Sequence, residues 1–479
     1  MKIAAQNPLH ERYASREMAS VFSSENRYAQ WRHMWITLAQ CQKDLDLPIT
    51  DRQLEALVGA APQLDLERVR EIESQTRHDV VAHLRHFKEQ ADALDPDSNA
   101  GGILHLGATS AFITDNTDVL ILRQGLELLS KRLVTVLSEL VSFARRHQDT
   151  ATLAYTHFQP AQLTTVGKRA CLWAQDFLID LEELRSRLEN LRCRGVKGTT
   201  GTQASYVTLF QGDGSKVQAL DRKLSDRLGF VQSFPITGQT YSRKQDTQLL
   251  HCLAGIAESC HKFGTDLRLL QGVGELSEPF DETQVGSSAM AYKRNPVRAE
   301  RMCALARRLI TDSLNGPMTA ATNWLERSLD DSANRRLVLT DAFLTADAVL
   351  GLAGHIAAGI KVRDRTIAAR ISRELPFMAT ETLLMEAVLR GGDRQELHER
   401  IRTYSLQAQA QVEAGEANPL LDSIAKDPDF RLSREEIQRL VDPQAFTGRS
   451  GAQVGEFVEQ HLDPLLSTLE GAPAEGPRI

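Results

Sequence analysis

Four stretches of this chain share one apolar rhythm, which limits the fold more than any other feature. Leu122, Leu126, Leu129, Leu133, Val136 and Leu140 step by four and three residues. The same alternation runs through Phe177, Leu181, Leu184, Leu188 and Leu191, and through Leu249, Leu253, Ile256, Cys260, Phe263, Leu267 and Leu270. It returns in Leu339, Phe343, Ala346, Leu350, Ala353, Ala357 and Ile360. A 4–3 alternation is the seam of helices packed nearly parallel or antiparallel at shallow angles. Each run reads as a helix of roughly 20–30 residues, about 30–45 Å at 1.5 Å per residue, so these are bundle-length helices. Apolar residues also lie off the seam, at Leu250, Ala254, Ala257 and Leu269. A helix apolar on more than one face must be buried on more than one face. That pattern predicts oligomerisation through these helices.

At 479 residues the chain is long enough for two or three domains, and the seams divide it into three segments: an N-terminal helical segment over 1–108, a central long-helix bundle over 109–360 and a C-terminal helical segment over 361–479. In the first, Trp31 and Trp35 are spaced for a shared core face, and Gln75 to Glu89 reads as a helix. Ala100 to Asp115 reads as a loop before a helix, and Thr202 to Phe210 as a short strand. Shorter helices fill the last segment, and its Gly/Pro-rich tail from Gly471 reads as disordered. No internal repeat or low-complexity block is visible.

The charge balance excludes some classes of function. With 56 Lys and Arg against 63 Asp and Glu, the net charge is −7, which favours neither nucleic acid nor a membrane surface. An anion site must therefore be built locally. No apolar run reads as long enough to span a bilayer, and Met1 to His10 lacks the apolar core of a secretory signal. Cys41, Cys171, Cys193, Cys252, Cys260 and Cys303 form no C-x-x-C pair and read as buried thiols of a reducing compartment. A cytoplasmic, soluble protein is expected.

The stretch with most chemistry is Gly286 to Pro296, Gly-Ser-Ser-Ala-Met-Ala-Tyr-Lys-Arg-Asn-Pro. Two hydroxyls, Ser287 and Ser288, precede Lys293, Arg294 and Asn295, which suit a carboxylate. Asn295-Pro296 reads as N-cap and N1 of a following helix, whose free N–H groups would favour an anion. His157 lies in the polar connection Thr156-His157-Phe158-Gln159-Pro160, where an imidazole can give a proton to a leaving group. His83 and His86 lie about 60° apart on a helix, but no carboxylate or cysteine completes a metal set at ligand spacing. Gly195 to Thr202 fails the phosphate-loop spacing, although a Gly/Thr loop still offers N–H groups to a carboxylate. Ser332 and Arg336 share a helix face at i, i+4, and arginine suits bidentate phosphate contact.

These motifs together resemble the fumarase/aspartase superfamily, and within it the adenylosuccinate lyase family. The Gly286 to Pro296 stretch is similar to the superfamily signature loop, with Ala291 where the family has proline. Thr-His-Phe-Gln-Pro-Ala-Gln resembles the family segment that carries the general acid. The resemblance extends from about Arg12 to about Leu466.

It implies an all-α, three-domain fold whose central helices from four chains form one bundle, a homotetramer with active sites shared between chains. It implies β-elimination of fumarate from adenylosuccinate, giving AMP, and from succinyl-aminoimidazole-carboxamide ribotide. His157 would be the acid, Ser287 the base by carry-over with Ser288 left open, and Lys293 and His78 would complete the catalytic set. Arg327, Ser332 and Arg336 would meet the nucleotide phosphate and ribose. Arg12, Tyr13, Arg77, Asp79, Thr109, Ser110, Thr156, Gln239, Asn295 and Arg301 match the remaining binding positions. No cofactor and no metal are implied, because the substrate's own carboxylate takes up the charge. The alternatives are another fumarate-releasing lyase, such as argininosuccinate lyase, and a catalytically silent oligomer of the same fold.

Overall fold

The computed structural model describes residues 7–281 and 283–472. Five helices open the chain: α1 Arg16–Val21, α2 Ser24–Lys43, α3 Asp51–Ala60, α4 Leu66–Thr76 and α5 Asp79–Leu94. The long seams fold as α6 Ser110–Arg146, α7 Val166–Glu189, α10 Lys244–Gly272 and α13 Asp330–Gly359, with α11 Val297–Asp312 packed among them. Shorter helices link these: α8 Ala204–Leu209, α9 Gly214–Arg227 and α12 Asn315–Thr322. The last segment holds α14 Asp364–Met378, α15 Thr380–Leu389, α16 Arg394–Glu413, α17 Leu420–Lys426, α18 Arg434–Leu440, α19 Ser450–Phe457 and α20 Asp463–Leu466. The fold is all-α.

The seam residues are the core. Leu126, Leu129, Leu133, Phe177, Leu181, Leu253, Cys260, Phe263, Phe343 and Ala353 have no exposed surface. One apolar cluster runs from Leu9 to Leu462, and a second, from Ala379 to Ile437, lies wholly within the last segment. By length and composition α13 passes as a membrane-crossing helix, against the expectation that no run is long enough. Yet 78% of that window is buried inside the chain, as the central rod of the bundle must be.

Four boundaries differ from the sequence reading. Gln75 to Glu89 is not one helix, because Arg77 ends α4 in the left-handed conformation and α5 begins at Asp79. The loop read from Ala100 holds a short 3-10 turn, Ala100–Ile103, and gives way to α6 at Ser110. Thr202 to Phe210 is not a strand: α8 forms there and buries Tyr206 completely under Gly107. The Gly107 φ is +72°, and a Cβ there would lie 2.8 Å from the Tyr206 ring, so this packing overrides the β-branched composition. Ala472 is buried, and its N–H donates to Lys131 O while Thr135 Oγ1 donates to its carbonyl. The tail is therefore docked as far as Ala472, and 473–479 lie outside the described residues.

The strands are few and short. β1 Ala151–Thr156 and β2 Gln159–Thr165 form an antiparallel hairpin, and β3 Leu276–Ser277 pairs with β4 Lys361–Val362.

Candidate active site

Three segments far apart in sequence meet at one end of the bundle: the α4–α5 junction and the first turns of α6 and α13. Their side chains line a cavity of about 540 Å³. The break at Arg77 leaves His78 as the cap of α5, and its Nδ1 accepts from Val81 N–H at 3.5 Å. Nε2 then faces the Ser110 hydroxyl at 3.3 Å. Asp79 accepts from Arg336 at 2.7 Å. Burial would raise the Asp79 carboxyl, but the bonds from Arg336 and Val80 N–H and the Arg336 charge outweigh it and hold it below its ordinary value. Arg327 donates to Gln239 Oε1 at 2.8 Å, and its Nε is buried without a partner among the described residues. A guanidinium lining a cavity is of a type that suits an anionic ligand.

Beneath this rim lies a buried ion lattice. Arg243 sits 3.1 Å from Asp115 and 2.8 Å from Asp331. Arg335 reaches Asp246 at 2.6 Å, Asp118 at 3.1 Å and the Tyr241 hydroxyl at 2.7 Å, and Arg27 adds a second bond to Asp118 at 2.7 Å. Each cation is matched by carboxylates, so the floor ties the N-terminal ends of α6, α10 and α13 together without presenting bare charge. Arg77, Arg327 and Arg336 also line the cavity, Arg336 paired with Asp79.

Of the residues singled out in the sequence, Arg77, His78, Asp79, Ser110, Arg327, Ser332 and Arg336 line this cavity. Gln239 adjoins it through Arg327, and Thr109 immediately precedes α6. The others lie elsewhere in the chain. Arg12 and Tyr13 sit in the turn Leu9–Tyr13, with the Arg301 guanidinium 5.9 Å from the Tyr13 ring. His157 is at the tip of the β1–β2 hairpin, a feature read from sequence only as a polar connection. His157 and Phe158 both have left-handed φ, 54° and 59°, as a two-residue hairpin turn requires. Thr156 pairs with Gln159 at the last rung. The hairpin is anchored where Tyr155 donates to Glu275, just past the C-terminal end of α10. Arg243, at the N-terminal end of α10, lines the cavity. That helix of 29 residues is about 43 Å long at 1.5 Å per residue, so His157 and the cavity of the same chain lie at opposite ends.

The Ser287 loop leaves from the same end as the hairpin. Gln271 holds both its stems, accepting from Glu278 N–H at 3.0 Å and donating to Arg294 O at 2.9 Å. Asn295 donates to Gly286 O at 2.9 Å. A Cβ at Gly286 would lie 2.2 Å from Lys293 O, so only glycine lets the stems approach. The Ser287 hydroxyl accepts from Met290 N–H at 3.1 Å. Asn295-Pro296 is not the N-cap–N1 pair: α11 starts at Val297 with Pro296 in the cap position. Nor are its N–H groups open to an anion, because the buried Glu278 carboxylate accepts from Arg298 N–H at 3.1 Å and Ala299 N–H at 2.9 Å.

Comparison with known proteins decides the family. Residues 12–311 match the family model described as lyase, and residues 376–457 the one described as adenylosuccinate lyase C-terminus. The chain is 45% identical over 467 residues to the adenylosuccinate lyase of Saccharomyces cerevisiae, covering 97% of this chain and 96% of that one. It is 43% identical over 469 residues to the adenylosuccinate lyase of Schistosoma mansoni, with coverage of 97% and 96%. The chain belongs to the adenylosuccinate lyase family.

The fold is shared more widely than the family. A fumarate lyase from Mesorhizobium sp. BNC1 superimposes with a TM-score of 0.79 at 23% identity, covering 94% of this chain and 99% of that one. The 3-carboxy-cis,cis-muconate lactonizing enzyme from Pseudomonas putida gives 0.82 at 22%, covering 96% and 100%. Those likenesses concern the fold alone. For this adenylosuccinate lyase family member, sequence reasoning missed the cavity floor. Asp331 and Arg335 at i, i+4 beside Arg336 were a local signal for part of it. Nothing local links Arg243 to Asp115, 128 residues away.

Proposed function

We propose that this chain eliminates fumarate from adenylosuccinate, giving AMP, and from succinyl-aminoimidazole-carboxamide ribotide. The observation that carries this reading is the convergence of Arg77, His78, Asp79, Ser110, Arg327, Ser332 and Arg336, from separate stretches, on one cavity. Arg327, Ser332 and Arg336 bind the phosphate and ribose; Arg12, Tyr13, Arg77, Asp79, Thr109, Ser110, Thr156, Gln239 and Arg301 hold the rest of the nucleotide and the succinyl group. Ser287 takes the proton from the carbon next to a carboxylate. The charge spreads into that carboxylate and is stabilised by Lys293, Asn295 and backbone N–H groups. His157 protonates the departing nitrogen, and His78 orients the succinyl carboxylates. Ser287 is favoured over Ser288 because its oxygen already accepts the Met290 N–H, the kind of bond that steadies an alkoxide.

The active site is assembled from several chains of a homotetramer. The length of α10 supports this, since His157 and the cavity of one chain are held apart by that helix. Antiparallel packing about two-fold axes sets the top of one bundle beside the bottom of another. We place the enzyme in the cytoplasm, where its six buried cysteines stay free thiols.

The test is a spectrophotometric assay of the purified protein with adenylosuccinate in the presence of a chelator. AMP and fumarate should appear in equal amounts. Absence of both with a correctly folded protein would overturn the reading.

A further inference from the structure

His157 sits at the tip of a two-stranded hairpin, and a lone hairpin is marginally stable in water. Something outside it must fix where the imidazole points. The hairpin register shifts opposite Ala154 and Tyr155, where Ala161 of β2 is left unpaired between Pro160 and Gln162, and a bulge there bends β2 and re-aims the turn beyond it. The strand facing the bulge, β1, is held from outside by one buried carboxylate. Glu275 has no exposed surface and accepts from the Tyr155 hydroxyl, from Thr152 Oγ1 at 3.3 Å and from Arg370 Nε at 3.0 Å. Arg370 also donates to the Tyr155 oxygen at 3.2 Å. Arg169 lies 3.8 Å from Glu275, and its other nitrogen donates to Leu153 O. Three elements, the end of α10, α7 and α14, therefore grip β1 through this one carboxylate and its cations.

We propose that Glu275 is the positioning residue for His157, fixing β1, the strand opposite the bulge, through Tyr155 so that the imidazole at the tip reaches the departing nitrogen. The inference rests on His157 being the general acid. Glu275 has no exposed surface in the chain and acts through the hairpin. Burial and the bond to Glu275 push the Tyr155 hydroxyl up to about 12, so it stays a donor across the working pH range.

The experiment is a double-mutant cycle on the full-length enzyme with adenylosuccinate, reading kcat and KM for Glu275→Gln, Tyr155→Phe, His157→Ala and each of the first two combined with His157→Ala. Glu275→Gln should lower kcat by about ten- to a hundredfold, the usual cost of misplacing a reacting group by an ångström or so, with little change in KM. Tyr155→Phe removes one hydrogen bond and should lower kcat by about fivefold. This milder variant serves if Glu275→Gln does not fold. Added to His157→Ala, neither should slow the enzyme further, because a positioning residue has no effect once the group it positions is gone. Near-normal kcat in Tyr155→Phe and Glu275→Gln would overturn the inference, as would double variants that fall by the product of the single effects. If His157→Ala itself keeps wild-type kcat, the acid assignment fails instead, and the two failures are distinguishable.

Discussion

The Arg336 guanidinium donates to the Asp79 carboxylate across 2.7 Å, joining the start of α5 to the second turn of α13 across 257 residues of sequence. This ion pair closes the cavity wall. It also keeps one phosphate-type cation oriented along that wall, with Asp79 ionised well below neutral pH.

Arg336→Ala should therefore act on binding. KM for adenylosuccinate should rise at least about tenfold while kcat changes little, as expected when a contact is equally strong in ground and transition states. Steady-state kinetics check this, and a kcat loss at unchanged KM would contradict it.

Ser287→Ala should lower kcat by at least about a hundredfold, as for a lost general base. Ser288→Ala should keep most activity. The reverse outcome would move the base by one residue.

Mixing inactive variants tests the shared site. Assayed at adenylosuccinate far below the raised KM, where each variant alone is silent, His157→Ala and Arg327→Ala/Arg336→Ala oligomers, dissociated and reassembled together, should regain part of the wild-type activity, because α10 holds the two groups of one chain about 43 Å apart. Verified mixed tetramers that stay inactive would contradict assembly from different chains.

Asp180 gives a pH prediction. Burial against α10 pushes its carboxyl up to about 7, and one oxygen has no partner among the described residues. Between its unfolded value near 4 and that folded value the native state binds more protons, so stability falls as pH rises through this window. Asp180→Asn should raise Tm more at pH 8 than at pH 5, read by thermal melting. An equal effect at both pH values would show that the carboxylate is compensated by another charge.

The long helices were legible because an apolar seam repeats every few residues and needs no distant partner to be seen. The cationic rim was legible because Arg327, Ser332 and Arg336 lie within one short stretch. The His157 hairpin was not, since its turn is His-Phe rather than the Asn-Gly or Gly-containing pair that marks such turns. The cap of α11 was misread for a related reason. The sequence offered Asn295 next to the helix, while the structure brings Glu278, some twenty residues earlier, onto the same N–H groups. Long-range pairing of this kind leaves no local trace.

The most direct measurement offers adenylosuccinate and argininosuccinate separately to the purified enzyme and follows fumarate release from each. Rapid release from adenylosuccinate, with none above background from argininosuccinate, is the predicted result. Release from argininosuccinate alone would contradict the account.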